Sequence, residues 1–305
     1  MRFFLTSVIK IIPVLFIISF IVFFLVRLTG DPVSLMLPET ATDQQREDLR
    51  NSMGLNDPVY IQYLNYMADV VRGNFGDSYK YNEPALEIVL ERLPASFTLA
   101  ISSMVVATLI AVPAGIYSAI KRNTFIDVVI TGSSVLGKAM PNFWLGIMLI
   151  LLFAVHISIF PVSGSGTIMH LVLPSITLGT AIAAEMTRLI RSSMLEVLGA
   201  EYIRTARSKG LLETVVVNKH ALRNALIPVV TIMALQTATL IGGTLITETV
   251  FSWPGMGQLL VQAVNARDMA IVQAATFIIA ILVILSNLMA DLTYRYLDPR
   301  IKYDD

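Results

Sequence analysis

Long apolar runs alternate with shorter polar stretches along the whole chain. About 20 apolar residues are enough to cross a bilayer as a helix, and six runs come close to or exceed this length. They lie at about residues 8–28, 93–120, 128–157, 174–191, 226–247 and 269–294. The pattern predicts an all-α membrane protein with six transmembrane helices, in which Pro141 kinks the third helix and Pro174 opens the fourth.

The first run is compatible with a cleaved signal peptide as well as with a retained helix. A signal peptide would be followed by a cleavage site of small residues, whereas this run is followed by Arg27-Leu28-Thr29-Gly30. We therefore predict a retained first transmembrane helix within residues 1–29.

A polar stretch at residues 30–95 separates the first two runs. Asp-Pro pairs and glycines punctuate it as turn signals, and two short helices are expected at 43–53 and 59–72. The second helix has an aromatic face, which favours core packing or interfacial anchoring over ligand binding. That face consists of Tyr60, Tyr63, Tyr66 and Met67. We predict a small external subdomain here, a membrane core at 96–297 and a cytoplasmic tail at 298–305.

The segment at about 196–223 is the longest strongly basic insert between two apolar runs. Its basic residues are Arg204, Arg207, Lys209, Lys219 and Arg223. Helical spacing and the glycine at position 210 predict two short helices with a break between them. We interpret the segment as a docking site for a soluble partner; the alternative is an ordinary basic cytoplasmic loop.

Basic residues are distributed unevenly between the two sides that six helices would define. The side that carries both termini has 14 Lys and Arg residues, and the other side has 7 in longer loops. Positive charge is enriched on the cytoplasmic side of membrane proteins. Both termini are therefore predicted to be cytoplasmic.

Composition supports a membrane protein and excludes several other classes. The chain is 55% hydrophobic and 14% charged, whereas soluble proteins carry about 25% charged residues. Acidic and basic residues balance at 22 each, which gives no reason to expect a nucleic-acid partner. The chain has no cysteine and only three scattered histidines, so neither disulfides nor a metal site is expected.

The stretch at 132–139 nearly matches the nucleotide-binding pattern G-x-x-x-x-G-K-[ST]. Its last position is Ala139, which has no hydroxyl for magnesium, and the stretch lies in an apolar run. We therefore reject it as a phosphate site. No other catalytic pattern is found, so any energy source is expected to come from a partner and no cofactor is expected in this chain.

Two charged residues, Lys138 and Glu185, are predicted to lie within the membrane. A charge at mid-helix costs about 2.5–3.5 kcal/mol on insertion scales. The two residues fall in the inner halves of antiparallel helices, where they could pair, line a water-filled path, or both. The other polar candidates for such a path are Asn142, Gln236, Glu248, Asn287 and Asp291.

The chain resembles the permeases of binding-protein-dependent ABC importers, specifically the dipeptide/oligopeptide/nickel group. Short motifs in a fixed order along almost the whole chain carry this resemblance. They are Gly30-Asp31-Pro32, Gly73-Asn74-Phe75-Gly76, Pro141-Asn142-Phe143-Trp144-Leu145-Gly146, Phe160-Pro161-Val162-Ser163-Gly164, Thr205-Ala206-Arg207-Ser208-Lys209-Gly210, His220-Ala221-Leu222-Arg223-Asn224-Ala225, Glu248-Thr249-Val250-Phe251-Ser252-Trp253-Pro254-Gly255-Met256-Gly257 and Asp298-Pro299-Arg300.

The resemblance implies the type I ABC importer permease fold and a machine of several subunits. A second related permease, two cytoplasmic ATPases that bind ATP and Mg, and an external solute-binding protein would complete it in a bacterial or archaeal cell membrane. The cargo would be a di- or oligopeptide; the alternatives within the group are nickel or another metal chelate, glutathione and opine-like ligands. An ATP-independent secondary transporter and an intramembrane enzyme are the rival classes, but the chain shows neither internal repeats nor a catalytic pair.

The resemblance also implies roles for two sets of residues. A coupling helix would sit in a groove of one ATPase, and it would comprise Glu201, Tyr202, Arg204, Thr205, Ala206, Arg207, Lys209 and Gly210. The loop at 248–268 would face the solute-binding protein and reach into the path, with Phe251, Trp253, Pro254 and Gly255. The chain departs from the broad importer pattern E-A-A-x-x-x-G, since Arg204 replaces Glu, Thr205 replaces the first Ala and Arg223 stands where Pro is usual. No family role transfers to Lys138 and Glu185.

Overall fold

The computed structural model of the protein describes residues 2–28, 33, 37, 40–52 and 54–297, and within them the chain is almost entirely helical. The α-helices are α1 (Arg2–Leu28), α2 (Asp43–Ser52), α3 (Val59–Val71), α4 (Ala85–Ile120), α5 (Phe125–Ala139), α6 (Asn142–Leu149), α7 (Ile168–Leu198), α8 (Glu201–Ser208), α9 (Glu213–Val215), α10 (Leu222–Ala225), α11 (Ile227–Gly243), α12 (Leu245–Val250), α13 (Met256–Ala266) and α14 (Met269–Leu297). Two π-helical segments, Ile150–His156 and Val216–Ala221, continue α6 and α9. The predicted all-α class is confirmed.

Apolar helices occur at each of the six predicted places. Within the described residues, α4, α7 and residues 269–293 of α14 are each long and apolar enough to cross a membrane, and α5 with α6 and its π-helical continuation form a bent pair that passes the same test together. The apolar parts of α1 and α11, Ile12–Leu25 and Ile227–Thr237, are shorter. The count of six membrane crossings therefore stays a prediction.

The third apolar run is broken rather than kinked. Helix α5 ends at Ala139, α6 begins at Asn142, and the two directions differ by 104°. Proline disfavours the helical conformation in the residue before it, and Met140 and Pro141 both adopt extended backbone, with ψ values of 128° and 133°. The predicted bend near Pro141 is confirmed, but it is a break between two helices because two successive extended residues turn the chain.

Three other boundaries differ from the sequence-based prediction. Helix α4 begins at Ala85, before the apolar run, and α7 begins at Ile168, so that Pro174 lies inside it. The predicted polar loop at 248–268 is mostly helical, since it contains the end of α12 and all of α13. The predicted boundaries were set by charged residues and turn signals. They were wrong because the helices continue beyond the apolar runs.

The chain divides into two compact units, Met1–Ser96 with Pro254–Ile284 and Phe97–Trp253 with Leu285–Asp305. The first unit therefore takes in a later segment as well as the predicted external subdomain. The predicted domain limits at 30–95 and 96–297 stay predictions.

An aromatic and aliphatic core holds the first unit together. Tyr63 and Tyr66 of α3 pack against Phe23 of α1, with ring centroids 5.3 Å and 5.5 Å apart, so two members of the predicted aromatic face pack as expected. Burial raises the pKa of Tyr66 to about 12. A second cluster joins residues from α3, α4, α13 and α14, and its largest buried members are Val70, Phe75, Ile88, Val89, Met256, Leu259 and Ile271.

Helix α7 occupies the centre of the second unit, where small residues allow its neighbours to come close. A methyl group added at Gly115 of α4 would lie 2.6 Å from Cβ of Ile190, and one at Gly179 would lie 2.9 Å from the carbonyl oxygen of Ser103. Glycines at such crossings permit backbone approach between membrane helices. The close contact fixes α4 against α7, and α5 packs on the same helix through Gly137.

Candidate functional site

The segment predicted to couple to a soluble partner forms a short amphipathic helix. Helix α8 starts after a two-residue connection from α7. Ile203 is fully buried and Ala206 is 8% exposed, so both face the protein. All the other residues of α8 are exposed: Glu201, Tyr202, Arg204, Thr205, Arg207 and Ser208. The helix therefore offers a mostly polar outer face on an anchored apolar base.

A Schellman motif ends α8 at the predicted break. The Gly210 N–H donates to the carbonyl oxygen of Arg207 at 2.9 Å, and the Leu211 N–H donates to that of Ala206 at 3.4 Å. This motif needs a residue in the left-handed conformation, which glycine adopts at little cost, and Gly210 has a φ of +76°. The predicted break at Gly210 is confirmed.

Side-chain contacts fix the hairpin that follows this break. The Arg207 guanidinium donates two hydrogen bonds to the Glu213 carboxylate, at 2.6 Å and 3.1 Å, and it lowers the pKa of Glu213 below its ordinary value. The Asn224 amide donates to the hydroxyl of Tyr202 at 2.8 Å. Glu201 and Arg204 pair along α8 at 2.9 Å, but both are largely exposed. The hairpin therefore presents α8 in one orientation.

The two predicted intramembrane charges form a direct ion pair. The Nζ of Lys138, in the last turn of α5, donates to Oε2 of Glu185 in α7 at 2.7 Å. The amide of Gln236 in α11 donates to the same oxygen at 3.2 Å. The side chains of Lys138 and Glu185 are 50% and 33% exposed. Of the alternatives that the sequence left open, pairing is confirmed.

A cavity of about 190 Å³ opens beside this ion pair. Side chains from α5, α6 and α11 supply its polar lining, and α7 and α11 contribute an apolar wall. The polar lining consists of Lys138, Asn142, Gln236 and Thr239. Four of the seven pathway candidates therefore come together, namely Lys138, Asn142, Glu185 and Gln236; their role in transport stays a prediction.

Glu248, another of these candidates, lies elsewhere. It is fully buried and accepts a hydrogen bond from the Thr244 hydroxyl at 2.9 Å. Its carbonyl oxygen accepts the N–H of Trp253 at 2.8 Å. Glu248 thus holds the turn after α12 and does not line the cavity.

The residues predicted for the external loop are packed rather than displayed. Phe251 and Trp253 are 2% and 6% exposed, and Phe251 packs with Ala154 and Leu173. Gly255 precedes α13 and is buried, and Pro254 is half-buried. A contact of these four residues with a solute-binding protein stays a prediction.

Sequence reasoning missed a second, buried ion pair between α5 and α7. The Nε and Nη2 atoms of Arg191 donate to the two carboxylate oxygens of Asp127 at 2.7 Å and 2.8 Å. The Ser118 hydroxyl also donates to Asp127, as does the N–H of Asn123 at 2.9 Å. The available signal was an acidic residue, Asp127, five positions after Arg122 and at the start of an apolar run.

In the part of the chain that the structure describes, no three His, Asp or Glu side chains lie close enough together to hold a metal ion. The arrangement instead offers a polar cavity beside an ion pair in membrane helices, together with a basic helix anchored at the end of α7.

Comparisons with known proteins identify one family over almost the whole chain. Residues 111–303 match the family described as binding-protein-dependent transport system inner membrane component, and residues 1–100 match its N-terminal counterpart. The oligopeptide transport system permease protein AppB of Bacillus subtilis is 41% identical over 304 residues, with 96% of each chain covered. The glutathione transport system permease protein GsiC of Escherichia coli K12 is 42% identical over 293 residues, again with 96% of each chain covered.

Solved structures with the same fold belong to ABC transporters. A chain of the MetNI methionine ABC transporter in an inward facing conformation matches with a TM-score of 0.56 and 19% identity, over 69% of this chain and 96% of that one. A chain of an amino acid ABC transporter with histidines matches with a TM-score of 0.52 and 13% identity, over 69% of this chain and 94% of that one. At these identities the likeness establishes the fold alone.

Proposed function

The chain belongs to the family of binding-protein-dependent transport system inner membrane components, and from this membership we propose that it is the permease subunit of an ATP-driven importer of small peptides. It would pair with a second related permease in the cell membrane, with both termini in the cytoplasm. Two ATPase subunits would bind and hydrolyse ATP with Mg, and an external solute-binding protein would deliver the cargo.

The observation that carries the coupling part of this proposal is the anchored helix α8. Its buried Ile203 and the Schellman motif at Gly210 fix the helix to the end of α7. Tyr202 and Leu212 remain 45% and 73% exposed beside basic side chains. Exposed aromatic and apolar residues within a charged rim suit a protein interface. A partner that moves α8 would therefore move α7, which carries Glu185.

Peptide cargo is supported by the relatives. The curated relatives that cover almost the whole chain are named for oligopeptide, dipeptide and glutathione transport. Glutathione is itself a small peptide, so all three names describe peptides with a free carboxylate. We therefore favour a peptide over a metal chelate as cargo.

The test is to reconstitute the chain in liposomes with its ATPases, its second permease and its solute-binding protein. Peptide uptake that requires ATP is expected, and uptake by this chain alone would contradict the proposal. The variant Gly210→Val should lower uptake and peptide-stimulated ATP hydrolysis together, because a β-branched residue is strained at positive φ.

Gly210→Asn is the matched control for this variant. A Cβ at position 210 would meet no atom within 4 Å, so both variants have the same free space, and asparagine tolerates the left-handed conformation. Asn should therefore retain most uptake. Equal uptake by the Val variant and the wild type would remove the coupling role of this helix end.

A further inference from the structure

The cavity beside Lys138 and Glu185 has the size and lining of a site for a small polar molecule. Its volume of about 190 Å³ equals the share of roughly six water molecules at about 30 Å³ each. Lys138, Asn142, Gln236 and Thr239 contribute polar groups, and Leu178 and Ile182 form part of the apolar wall. A mostly apolar wall with a small number of polar groups that point into the same space is typical of ligand-binding sites.

The ion pair at this cavity retains unused bonding capacity. Lys138 donates one hydrogen bond, to Oε2 of Glu185, although an ammonium group carries three donors. The amide of Gln236 reaches the same Oε2 atom, and among the described residues none donates to Oε1. Lys138 lines the cavity, and the side chains of Lys138 and Glu185 are 50% and 33% exposed. The pair can therefore take up further partners.

We infer that this cavity is a cargo subsite, in which Lys138 binds the carboxylate of a short peptide with free termini and Glu185 binds its amino group. The inference rests on the proposed function and specifies how the permease itself recognises the peptide. The bound peptide replaces the contact between Lys138 and Glu185 with two contacts of the same kind.

Charge balance is the physical reason for this exchange. An isolated charge inside a membrane is costly, whereas a paired one is tolerated. With an empty cavity the two side chains neutralise each other, and with a zwitterionic peptide each side chain and each terminus has an opposite charge beside it. The sum of charges in the site is zero in both states, so cargo enters and leaves without an unpaired charge.

The distances require the pair to open. The two side chains are now 2.7 Å apart, and a dipeptide backbone spans at most about 7 Å. The lysine side chain has a flexible four-carbon stem, so Nζ can move away from Glu185 while both stay at the cavity. The amide of Gln236 would then be available to a carbonyl oxygen of the peptide.

The test uses the complex of both permeases and the ATPases in nanodiscs, without the solute-binding protein, so that only the membrane part selects cargo. The probes are Ala-Ala, its C-terminal amide and its N-acetyl derivative, and saturation-transfer NMR gives their affinities. The wild type should bind Ala-Ala about tenfold more tightly than either blocked form, since each blocked form loses one hydrogen bond between charged groups.

Each single variant should lose the preference for one free terminus of the peptide and keep the preference for the other. Lys138→Met should bind Ala-Ala and its amide equally, and Glu185→Gln should bind Ala-Ala and its N-acetyl form equally. Lys138→Arg keeps the charge and should keep the preference for a free carboxylate. Lys121→Met, at an exposed turn between α4 and α5, is the matched control and should resemble the wild type.

Two results would overturn the inference while leaving the proposed function intact. One is a wild type that takes up Ala-Ala with ATP in liposomes but binds all three probes equally or none of them in nanodiscs. The other is a double variant, Lys138→Met with Glu185→Gln, that regains the wild-type order of affinities, as a purely structural ion pair would. Absence of ATP-dependent peptide uptake by the wild type would instead overturn the proposed function.

Discussion

Two ion pairs join the same two helices, and they differ in almost every physical respect. Asp127 is 4% exposed and meets Arg191 through two parallel hydrogen bonds. The Ser118 hydroxyl and the Asn123 N–H also donate to its carboxylate. Lys138 and Glu185 meet through one hydrogen bond, and both side chains are at least one-third exposed. The first pair is saturated and enclosed, whereas the second is open.

This difference in burial and hydrogen bonding indicates that the Asp127–Arg191 pair stabilises the structure, whereas the Lys138–Glu185 pair can exchange partners. A buried carboxylate is stable only when its charge and lone pairs are satisfied, and removing a donor from Asp127 leaves a buried oxygen without one of its hydrogen bonds. An open pair beside a cavity tolerates the loss of a partner better because solvent or cargo can replace it. The following variants test this contrast.

The largest effect is expected from Arg191→Met. It leaves the Asp127 charge buried without its cation, and breaking a buried pair costs about 3–5 kcal/mol. We expect the free energy of unfolding to fall by about 3 kcal/mol, because the Arg191 side chain is itself 26% exposed. Denaturant unfolding in detergent, followed by circular dichroism, measures this change.

The double variant Asp127→Asn with Arg191→Met is the matched control for that experiment. It removes both charges, and the Asn amide can accept from the Asn123 N–H with its oxygen while its NH2 group donates to the Ser118 hydroxyl, because these two groups contact different carboxylate oxygens of Asp127. Most of the lost stability should return. If the double variant were as unstable as the single one, packing rather than charge would explain the loss.

A smaller loss is expected from Ser118→Ala. The variant removes one neutral donor from Asp127 while Arg191 and Asn123 remain. A net hydrogen bond is worth about 1 kcal/mol, so we expect a decrease of about that size in the same denaturation. An unchanged stability would show that Ser118 is not needed to satisfy the carboxylate.

Lys138→Met should cost less stability than either of these variants. Water in the adjoining cavity can solvate Glu185 when the lysine is removed, and Glu185 keeps the amide of Gln236. Water-accessible pairs contribute about 0–1 kcal/mol. The same denaturation should show less than about 1 kcal/mol of change. A loss as large as that of Arg191→Met would place Lys138 among the structural groups and remove the contrast.

The smallest effect concerns a third pair, Arg207 with Glu213, outside the membrane helices. The pKa of Glu213 is lowered by its hydrogen bonds to Arg207, so its stabilisation is complete above the ordinary pKa and is lost as pH falls through the lowered pKa. The hairpin after α8 should therefore loosen only in acid. Hydrogen exchange at 201–215, corrected for the intrinsic pH dependence, measures this.

Glu213→Gln is the control for the acid effect, since it cannot ionise. Its exchange should be the same above and below the pKa range of Glu213. An acid response that persisted in this variant would have to arise from another titrating group.

Local patterns in the sequence determined most of the helices. Apolar runs near membrane length became α1, α4, α7, α11 and α14, because burial of apolar side chains in lipid does not depend on which helix lies beside them. Gly210 was also predictable, since its left-handed conformation is a local property of one residue. Pro141 was predicted to kink its helix, but the 104° angle between α5 and α6 depends on Met140 also being extended.

Only the tertiary structure decided which charges meet. Asp127 and Arg191 are 64 residues apart, and Lys138 and Glu185 are 47 apart, so no local period links them; they pair because α5 and α7 pack side by side. Tertiary packing also decided the burial of Phe251 and Trp253. Their polar neighbours in sequence predicted an exposed loop, but both side chains are buried. Local interactions between residues near in sequence determine where a helix forms. Packing between helices that are distant in sequence determines which charged residues pair, which side chains are buried and where the cavity lies.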